Sequence, residues 1–320
     1  MKPRSLYGPV QEDLALVAQT LEGIKKVDFP ALSEMLNLAL SGQGKQLRPA
    51  LVLLAGRFSR YDLDLLVPVA ASIELLHTAT LVHDDVIDGA STRRGRSTAN
   101  AAYRNTTAVM LGDYMFAHAA DLVAVAGNVR VVRLFARTLR VMVRGEIGQD
   151  MTAYDSRQNV RDYLNRIAGK TASLFAAACE GGAVVSGHPE SWIKTLHDYG
   201  HHLGMAFQVV DDILDFTGDA ESMGKSVGSD LMQGTLTLPS LLLLEKHPDN
   251  NPIKRLFAER DKVEVARAVE MVRQSGIPEE CYRIARGFAD RAKEALDIMP
   301  DSSAKQTLLG IVDNTLERQS

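Results

Sequence analysis

The chain has 320 residues, of which 46% are hydrophobic and 24% are charged, and its formal net charge is -4. This is the composition of a globular protein with a sizeable core, and the slightly acidic balance excludes a strongly cationic nucleic-acid binder. The two cysteines, Cys179 and Cys281, have no metal-ligand spacing and are too few for a disulfide framework, which predicts a reducing, cytoplasmic location. The first residues lack the apolar segment of a signal peptide, and the longest apolar stretch, 65–82, is interrupted by Glu74 and His77. We therefore expect a soluble protein that can contact a membrane surface.

Apolar residues recur at spacings of three and four through most of the chain, as in Leu14, Val17, Leu21 and Ile24. This periodicity predicts amphipathic helices, and the alternation typical of strands is scarce, so we expect an all-α protein. Glycine and proline clusters predict breaks between helices at 41–46, 89–98, 181–189, 217–234 and 247–252. No break is long enough for an interdomain linker, which predicts one domain over residues 1–320.

Lys45 and Arg48 stand at the start of the helix predicted after the break at 41–46. Lysine offers a phosphate a mobile point charge, arginine grips it with two parallel hydrogen bonds, and a helix N-terminus adds backbone donors. Taken alone, such basic residues are surface charges far more often than phosphate ligands.

An aspartate cluster follows on the next predicted helix: Asp84, Asp85 and Asp88, directly after Leu81 and Val82. Residues four apart share a helix face, so Asp84 lies beside Asp88. Such carboxylates repel each other and are costly on an apolar helix unless a cation lies among them. For one cluster alone, a solvated helix face is an equally good explanation.

The same Asp-Asp-x-x-Asp pattern recurs at Asp211, Asp212 and Asp215, again in apolar sequence. Oxygen ligands favour hard cations, and magnesium commonly bridges one or two carboxylates to substrate phosphates. Two copies in apolar surroundings therefore favour a magnesium diphosphate site over two solvated faces.

Further basic residues accompany the clusters. Arg93 and Arg94 follow the first cluster, Lys170 precedes Thr171, and Lys225 follows the second cluster. The segment around Lys225 is not a P-loop, because Asp219 stands where that motif requires glycine.

These motifs, in this order between Gly44 and Pro239, resemble the trans-isoprenyl diphosphate synthase (polyprenyl synthetase) family of the medium- and long-chain type. The resemblance implies a helical bundle around a deep central cavity, usually in homodimers. It implies head-to-tail condensation of isopentenyl diphosphate with an allylic diphosphate (dimethylallyl, geranyl, farnesyl or geranylgeranyl), by magnesium-assisted ionisation, condensation and proton elimination. A small accessory subunit and a peripheral membrane contact for product release are compatible with it.

Residue roles carry over from the family by motif. The residues that would hold three magnesium ions on the allylic diphosphate are Asp84, Asp88, Asp211 and Asp215, with Asp85 and Asp212 as supporting acids. Those that would contact the same diphosphate are Arg93, Lys170 and Lys225. Those that would bind isopentenyl diphosphate are Lys45, Arg48, His77 and Arg94, although a histidine on an apolar helix is also an ordinary core residue. The catalytic residues would be Lys170, Thr171 and Gln208, the last two near the reacting carbon.

The sequence departs from the family pattern at Thr235 and, with little consequence, at Ser97, where the family commonly has proline. The family often has lysine after the glycine that follows the second cluster, whereas this chain has Thr235 after Gly234. Because Thr235 carries no positive charge, we expect weaker binding of the allylic diphosphate.

The residues one helical turn before the first cluster predict a long product. Short-chain members of the family usually carry bulky aromatic residues there, whereas this chain has Ala79 and Thr80. A turn rises about 5.4 Å, comparable to one isoprene unit, so small residues leave room for elongation. We expect a product longer than geranylgeranyl diphosphate, in the hexaprenyl to decaprenyl range. The residues that would close the cavity, unless they are ordinary core residues, are Met110, Leu111, Tyr114 and Met115.

Three other functions fit the sequence less well. A His-Asp phosphohydrolase would explain His83 and Asp84 but needs more metal-binding histidines and leaves the second cluster unexplained. A terpene cyclase would lack Lys45, Arg48 and Arg94, because it takes no second diphosphate. A non-catalytic regulatory subunit would usually have lost aspartates from one cluster, and both are complete here.

Overall fold

The computed structural model describes residues 6–41, 44–93, 95–218, 227–261 and 263–318. The α-helices in these ranges are α1 (Leu14–Ile24), α2 (Pro30–Leu40), α3 (Leu47–Gly56), α4 (Leu63–Ile87), α5 (Ala99–Ala102), α6 (Asn105–Val125), α7 (Val129–Met151), α8 (Val160–Ile167), α9 (Ser173–Val185), α10 (Glu190–Thr217), α11 (Ser229–Met232), α12 (Leu238–Lys246), α13 (Pro252–Glu259), α14 (Val263–Arg273), α15 (Ile277–Ala295) and α16 (Ser303–Leu316). The described strands are β1 (Thr92–Arg93) and β2 (Arg96–Ser97), which form one antiparallel hairpin. The prediction of an all-α protein is confirmed.

The predicted break at 181–189 is partly wrong. Residues 181–185 belong to α9, and the chain leaves the helix only after Val185. A Cβ atom at Gly182 would lie 2.1 Å from the backbone oxygen of Val52, so this glycine permits close packing of α9 against α3. Glycine therefore serves a helix contact here and not a turn.

The contacts between residues divide the chain into two compact units. Unit 1 comprises Met1–Leu139, Leu174–Gly200 and Ala295–Ile311, and unit 2 comprises Arg140–Ser173, His201–Glu294 and Val312–Ser320. The first aspartate cluster belongs to unit 1 and the second to unit 2. The single domain expected over residues 1–320 stays a prediction.

Unit 1 is built around α4, which packs against α1, α3 and α6. A Cβ atom at Gly112 of α6 would lie 2.2 Å from Nε2 of His83, so the missing side chain makes room for this imidazole. His83 Nε2 lies 2.9 Å from the carbonyl oxygen of Val109 and the ring meets Phe116 edge-on. These contacts fix the end of α4 that carries the first aspartate cluster.

Unit 2 has an apolar core to which α10 contributes a continuous buried face. Its members on this helix are Met205, Val209, Val210, Ile213, Leu214 and Phe216. Tyr163 of α8 and Leu236 are fully buried in the same core. Because apolar residues hold α10 in place, the polar residues between them are held in fixed positions.

Among the residues that the structure describes, two helices, α4 and α6, are long and apolar enough to cross a membrane by length and composition alone. In α4, 67% of the apolar window is buried inside the protein, as expected for a core helix. In α6, only 33% is buried, so this helix leaves much of its apolar surface uncovered in the single chain.

Candidate functional site

The first aspartate cluster lies at the C-terminal end of α4. Asp84 is half-buried in the last turn, and Asp88 caps the helix, with its backbone N–H 2.8 Å from the carbonyl oxygen of Asp84. No basic residue lies in this last turn. A helix C-terminus carries partial negative charge and normally favours cations, so carboxylates concentrated here are costly. A bound cation would offset this cost.

Arg93 lies directly beside this cluster. The hairpin of β1 and β2 brings its Nε within 2.7 Å of Oδ1 of Asp85, which is buried. Burial raises the pKa of Asp85, and the Arg93 guanidinium opposes that rise. The supporting acid Asp85 is therefore bound to the arginine that was predicted to contact the diphosphate. Arg94 lies outside the described residues.

The other residues predicted for isopentenyl diphosphate are also in unit 1. Lys45 is exposed just before α3, and Arg48 lies in the first turn of that helix with Cζ 4.8 Å from the ring centre of Phe175. His77 is half-buried on α4, seven residues before Asp84. Lys45 and Arg48 therefore flank one helix N-terminus, as the sequence predicts.

The second aspartate cluster lies at the C-terminal end of α10, which also has no basic residue in its last turn. Asp211 is half-exposed, and its Oδ1 lies 3.7 Å from Nη2 of Arg318. The Cζ atom of Arg318 lies 4.4 Å from the ring centre of Phe207. Sequence reasoning missed Arg318, because it stands alone near the C-terminus, far from every motif.

Asp215 is fully buried and binds the start of α11. The Ser229 hydroxyl donates to Oδ1 at 2.8 Å, and the backbone N–H of Asp230 lies 3.4 Å from Oδ2. The assignment of Asp215 as a magnesium ligand stays a prediction. Lys225 lies outside the described residues.

A chain of hydrogen bonds connects Thr171, Gln208, Asp212 and Tyr163. The Thr171 hydroxyl donates to Oε1 of Gln208 at 2.7 Å, and Nε2 of Gln208 donates to Oδ1 of Asp212 at 2.8 Å. The Tyr163 hydroxyl donates to Oδ2 of Asp212 at 2.6 Å. Because Asp212 accepts from the amide nitrogen of Gln208, the amide oxygen turns toward Thr171. Two of the three predicted catalytic residues, Thr171 and Gln208, are thus oriented by Asp212, and Tyr163 is a supporting residue that the sequence did not reveal.

The Asp212 carboxyl is buried in this network. Burial raises its pKa to about 8, with a further rise from the nearby Asp230, while the hydrogen bonds from Tyr163 and Gln208 oppose the shift. The two donors therefore limit the rise in the pKa of this carboxyl, but burial remains the larger effect.

Lys170 lies in the π-helical turn Ala168–Ala172 between α8 and α9. Such a turn inserts an extra residue into a helix and is frequent at functional sites. The Lys170 ammonium lies 2.5 Å from Oε2 of Glu146, a partner that sequence reasoning missed. A Cβ atom at Gly145 would lie 3.3 Å from the backbone nitrogen of Lys170, so this glycine lets α7 approach the π-turn.

The residues predicted to control product length are in unit 1. Ala79 is fully buried, whereas Thr80 is half-buried and its hydroxyl donates to the carbonyl oxygen of His77 at 2.7 Å. Leu111 and Met115 are buried, but Met110 is 65% exposed. Met110 therefore does not line the interior of its unit.

The Tyr163→Phe substitution tests the network around Asp212. It leaves Oδ2 of the buried carboxyl without its tyrosine donor, so we expect the free energy of unfolding to fall by about 1–3 kcal/mol. Urea unfolding measures this loss. The matched control is Tyr282→Phe, at a half-buried tyrosine of the same unit, with an expected change within about 0.5 kcal/mol. Equal effects of the two substitutions would contradict the role given to the Tyr163 hydroxyl.

Comparison with known proteins gives consistent matches along the chain. Residues 29–274 match the family model described as polyprenyl synthetase. The chain is 41% identical over 308 residues to heptaprenyl diphosphate synthase component 2 from Geobacillus stearothermophilus, covering 96% of both chains. It is similar to the crystal structure of heptaprenyl diphosphate synthase from Staphylococcus aureus, with a TM-score of 0.93, 33% identity and coverage of 97% of this chain and 99% of that one. It is also similar to a Caulobacter crescentus polyprenyl synthase complexed with calcium and isoprenyl diphosphate, with a TM-score of 0.91, 34% identity and coverage of 97% and 96%.

Proposed function

Because the chain belongs to the polyprenyl synthetase family and is a prenyltransferase, we propose that it condenses isopentenyl diphosphate with an allylic diphosphate, head to tail. The product is a linear all-trans polyprenyl diphosphate longer than geranylgeranyl diphosphate, in the hexaprenyl to decaprenyl range. The observation that carries this proposal is the pair of aspartate clusters, each at a helix end that attracts cations and each beside an arginine. The identity of 41% to a heptaprenyl diphosphate synthase component supports the length class.

Magnesium is the proposed cofactor, with three ions per active site. Asp84, Asp88, Asp211 and Asp215 would hold it, and the donors fit because they are oxygens on helix ends without a basic residue in the last turn. The calcium ion in the similar Caulobacter crescentus synthase also supports a hard divalent cation. When bound, the metal would neutralise the negative charge that develops on the leaving diphosphate.

The protein residues would act on the two ends of the breaking bond. Arg93, Lys170 and Lys225 would bind the diphosphate and stabilise its growing charge. Thr171 and Gln208 would turn their oxygen dipoles toward the allylic cation, since Asp212 fixes the orientation of the Gln208 amide. The double bond of isopentenyl diphosphate, bound by Lys45, Arg48, His77 and Arg94, then attacks this cation. The released diphosphate is the proposed acceptor of the proton that leaves last.

We further propose that the enzyme is a homodimer formed through α6. Nine of the sixteen large apolar residues exposed in the described chain lie on α6 and α7, among them Met110 at 65% and Val125 at 61%. A second copy is the partner that would cover the apolar face of α6. Analytical ultracentrifugation of the purified protein should give the mass of a dimer. A monomer at micromolar concentration would contradict this part of the proposal.

Two further contacts belong to the proposal. The Geobacillus stearothermophilus relative is named as one component of a heptaprenyl diphosphate synthase, which supports a small accessory subunit for this chain. A peripheral membrane contact would receive the long apolar product.

The proposed location of the protein is the cytoplasm. Both cysteines are buried and free, in keeping with a reducing compartment.

The activity assay tests the proposed function. Purified protein with magnesium, isopentenyl diphosphate and farnesyl diphosphate should give products longer than geranylgeranyl diphosphate. Chelation with EDTA should abolish the reaction, and Asp84→Asn should lower kcat by about a hundredfold or more, because one carboxylate of the metal site is lost.

Asp64→Asn is the matched control for this assay. Asp64 is an exposed acid in the first turn of the same helix, so its removal should leave kcat within about threefold of the wild type. Condensation that persists in EDTA would refute the metal site. Absence of condensation with every allylic primer, by a dimeric and folded chain, would point to a required accessory subunit or to a regulatory protein.

Product length should respond to bulk at Thr80. Thr80 lies four residues before Asp84 on the same helix face, so Thr80→Phe should block elongation and shorten the main product to geranylgeranyl or farnesyl diphosphate. Ala79 is a poorer test, because a phenylalanine at this fully buried position would overpack the core. Chromatography of the dephosphorylated products measures the length.

Thr78→Phe is the matched control for product length. Thr78 is half-buried on the same helix and, like Thr80, donates its hydroxyl to a carbonyl oxygen of the preceding turn. Six residues separate it from Asp84, so it faces another direction and should leave the product unchanged. An unchanged product from Thr80→Phe would contradict the length argument.

A further inference from the structure

Arg166 of α8 is a largely buried cation that belongs to none of the sequence motifs. Its Nη1 donates to Oε1 of Gln158 at 3.1 Å, and its Nη2 donates to the backbone oxygen of Leu236. The guanidinium also lies over the ring of Tyr163, with Cζ 5.6 Å from the ring centre. The Arg166 guanidinium is therefore held in one place, beside Leu236, which directly follows Thr235.

The Tyr163 hydroxyl connects this guanidinium to Asp212, and Asp212, Asp230 and Glu146 are all near enough to act on its charge. Burial lowers the pKa of Arg166, and the three carboxylates oppose this by favouring the charged form. An arginine in such surroundings remains a cation at neutral pH. In turn, the positive charge of Arg166 favours the ionised forms of these acids.

The segment containing Thr235 is directly connected to the second aspartate cluster. The backbone N–H of Thr235 donates to the carbonyl oxygen of Asp230 at 2.9 Å, and the N–H of Asp230 approaches the Asp215 carboxylate. Tyr154 supports the same segment, because its hydroxyl donates to the carbonyl oxygen of Met232 at 2.9 Å. A side chain at position 235 and the Arg166 guanidinium thus occupy the same neighbourhood.

Arg166 also affects Lys170 through Glu146. The Lys170 ammonium pairs with Glu146, and Arg166 attracts the same carboxylate. Because the positive charge of Arg166 also acts on Glu146, we expect Glu146 to hold Lys170 less tightly than it would alone. Without that charge, Glu146 would compete more strongly for Lys170.

We propose that Arg166 supplies the fixed positive charge of the second aspartate cluster that Thr235 does not provide, and thereby strengthens the binding of the metal-complexed allylic diphosphate. Arg166 is a positioning residue that acts through Asp212, Asp230 and Glu146. The inference rests on the proposed function, because it takes an allylic diphosphate as the ligand of this cluster.

Charge relocation tests the proposal. Arg166→Gln removes the charge but keeps an N–H donor for the Leu236 carbonyl, and Arg166→Gln combined with Thr235→Lys returns the charge from the neighbouring segment. Arg166→Lys keeps the charge without the planar fork, and Arg161→Gln is the control at an exposed arginine of the same helix. Calorimetric titration with the S-thiolo analogue of farnesyl diphosphate and magnesium measures binding without turnover.

The expected result is a dissociation constant about tenfold higher for Arg166→Gln, restored to within about threefold of the wild type by Thr235→Lys. Arg166→Lys and Arg161→Gln should bind within about threefold of the wild type. The KM for farnesyl diphosphate should follow the same order, with a smaller change in kcat. A merely structural role of Arg166 would not be rescued by a charge placed at position 235.

Two results would overturn the proposal: wild-type binding by Arg166→Gln, or no restoration by Thr235→Lys. If Arg166→Gln does not fold, Thr235→Lys alone decides. It should tighten binding by less than about threefold because the charge is already present, and a gain of about tenfold or more would contradict the role of Arg166. Wild-type protein that binds the analogue but forms no elongated product would refute the proposed function and leave this inference intact.

Discussion

The concentration of carboxylates at the C-terminal ends of two helices is the constraint on which the rest of the structure depends. In both α4 and α10 the acids stand where the helix dipole is negative and where no basic residue occupies the last turn. Such an arrangement is unfavourable by itself, and the surroundings are organised to tolerate it. Arg93 binds Asp85 in unit 1, and Arg318 approaches Asp211 in unit 2.

The second cluster shows how three neighbouring aspartates take different roles. Asp211 is half-exposed and lies near Arg318, Asp212 is buried and orients Gln208, and Asp215 is buried and binds the start of α11. Asp211 and Asp212 differ because successive helix residues point about 100° apart while the core lies on one side. Asp215 shares the face of Asp211 and is buried because the start of α11 covers it. A motif written with three equivalent letters therefore places its acids in three different environments.

Pre-organisation of the catalytic groups comes from contacts between elements. The π-turn places Lys170 and Thr171, α10 supplies Gln208, and α8 supplies Tyr163. Each donor is already directed at its acceptor, so little reorganisation is needed when charge develops on a substrate. Arg166 adds a fixed charge to these hydrogen bonds, since it donates to the Leu236 carbonyl oxygen and acts electrostatically on Asp212 of the cluster.

The sequence by itself determined the helical class, both aspartate clusters and the family, because these follow from local periodicity and from motifs of fixed spacing. It also placed Lys45 and Arg48 at a helix start, where the structure has them. It could not reveal Glu146, Tyr163, Arg166 or Arg318, whose partners lie many residues away and carry no recurring pattern. It misread residues 181–185 as a break, because a glycine that admits a neighbouring helix looks the same in sequence as one that makes a turn. Only tertiary packing decided which charged groups meet and which aspartates are buried, since burial and ion pairing depend on what the rest of the chain brings to each residue.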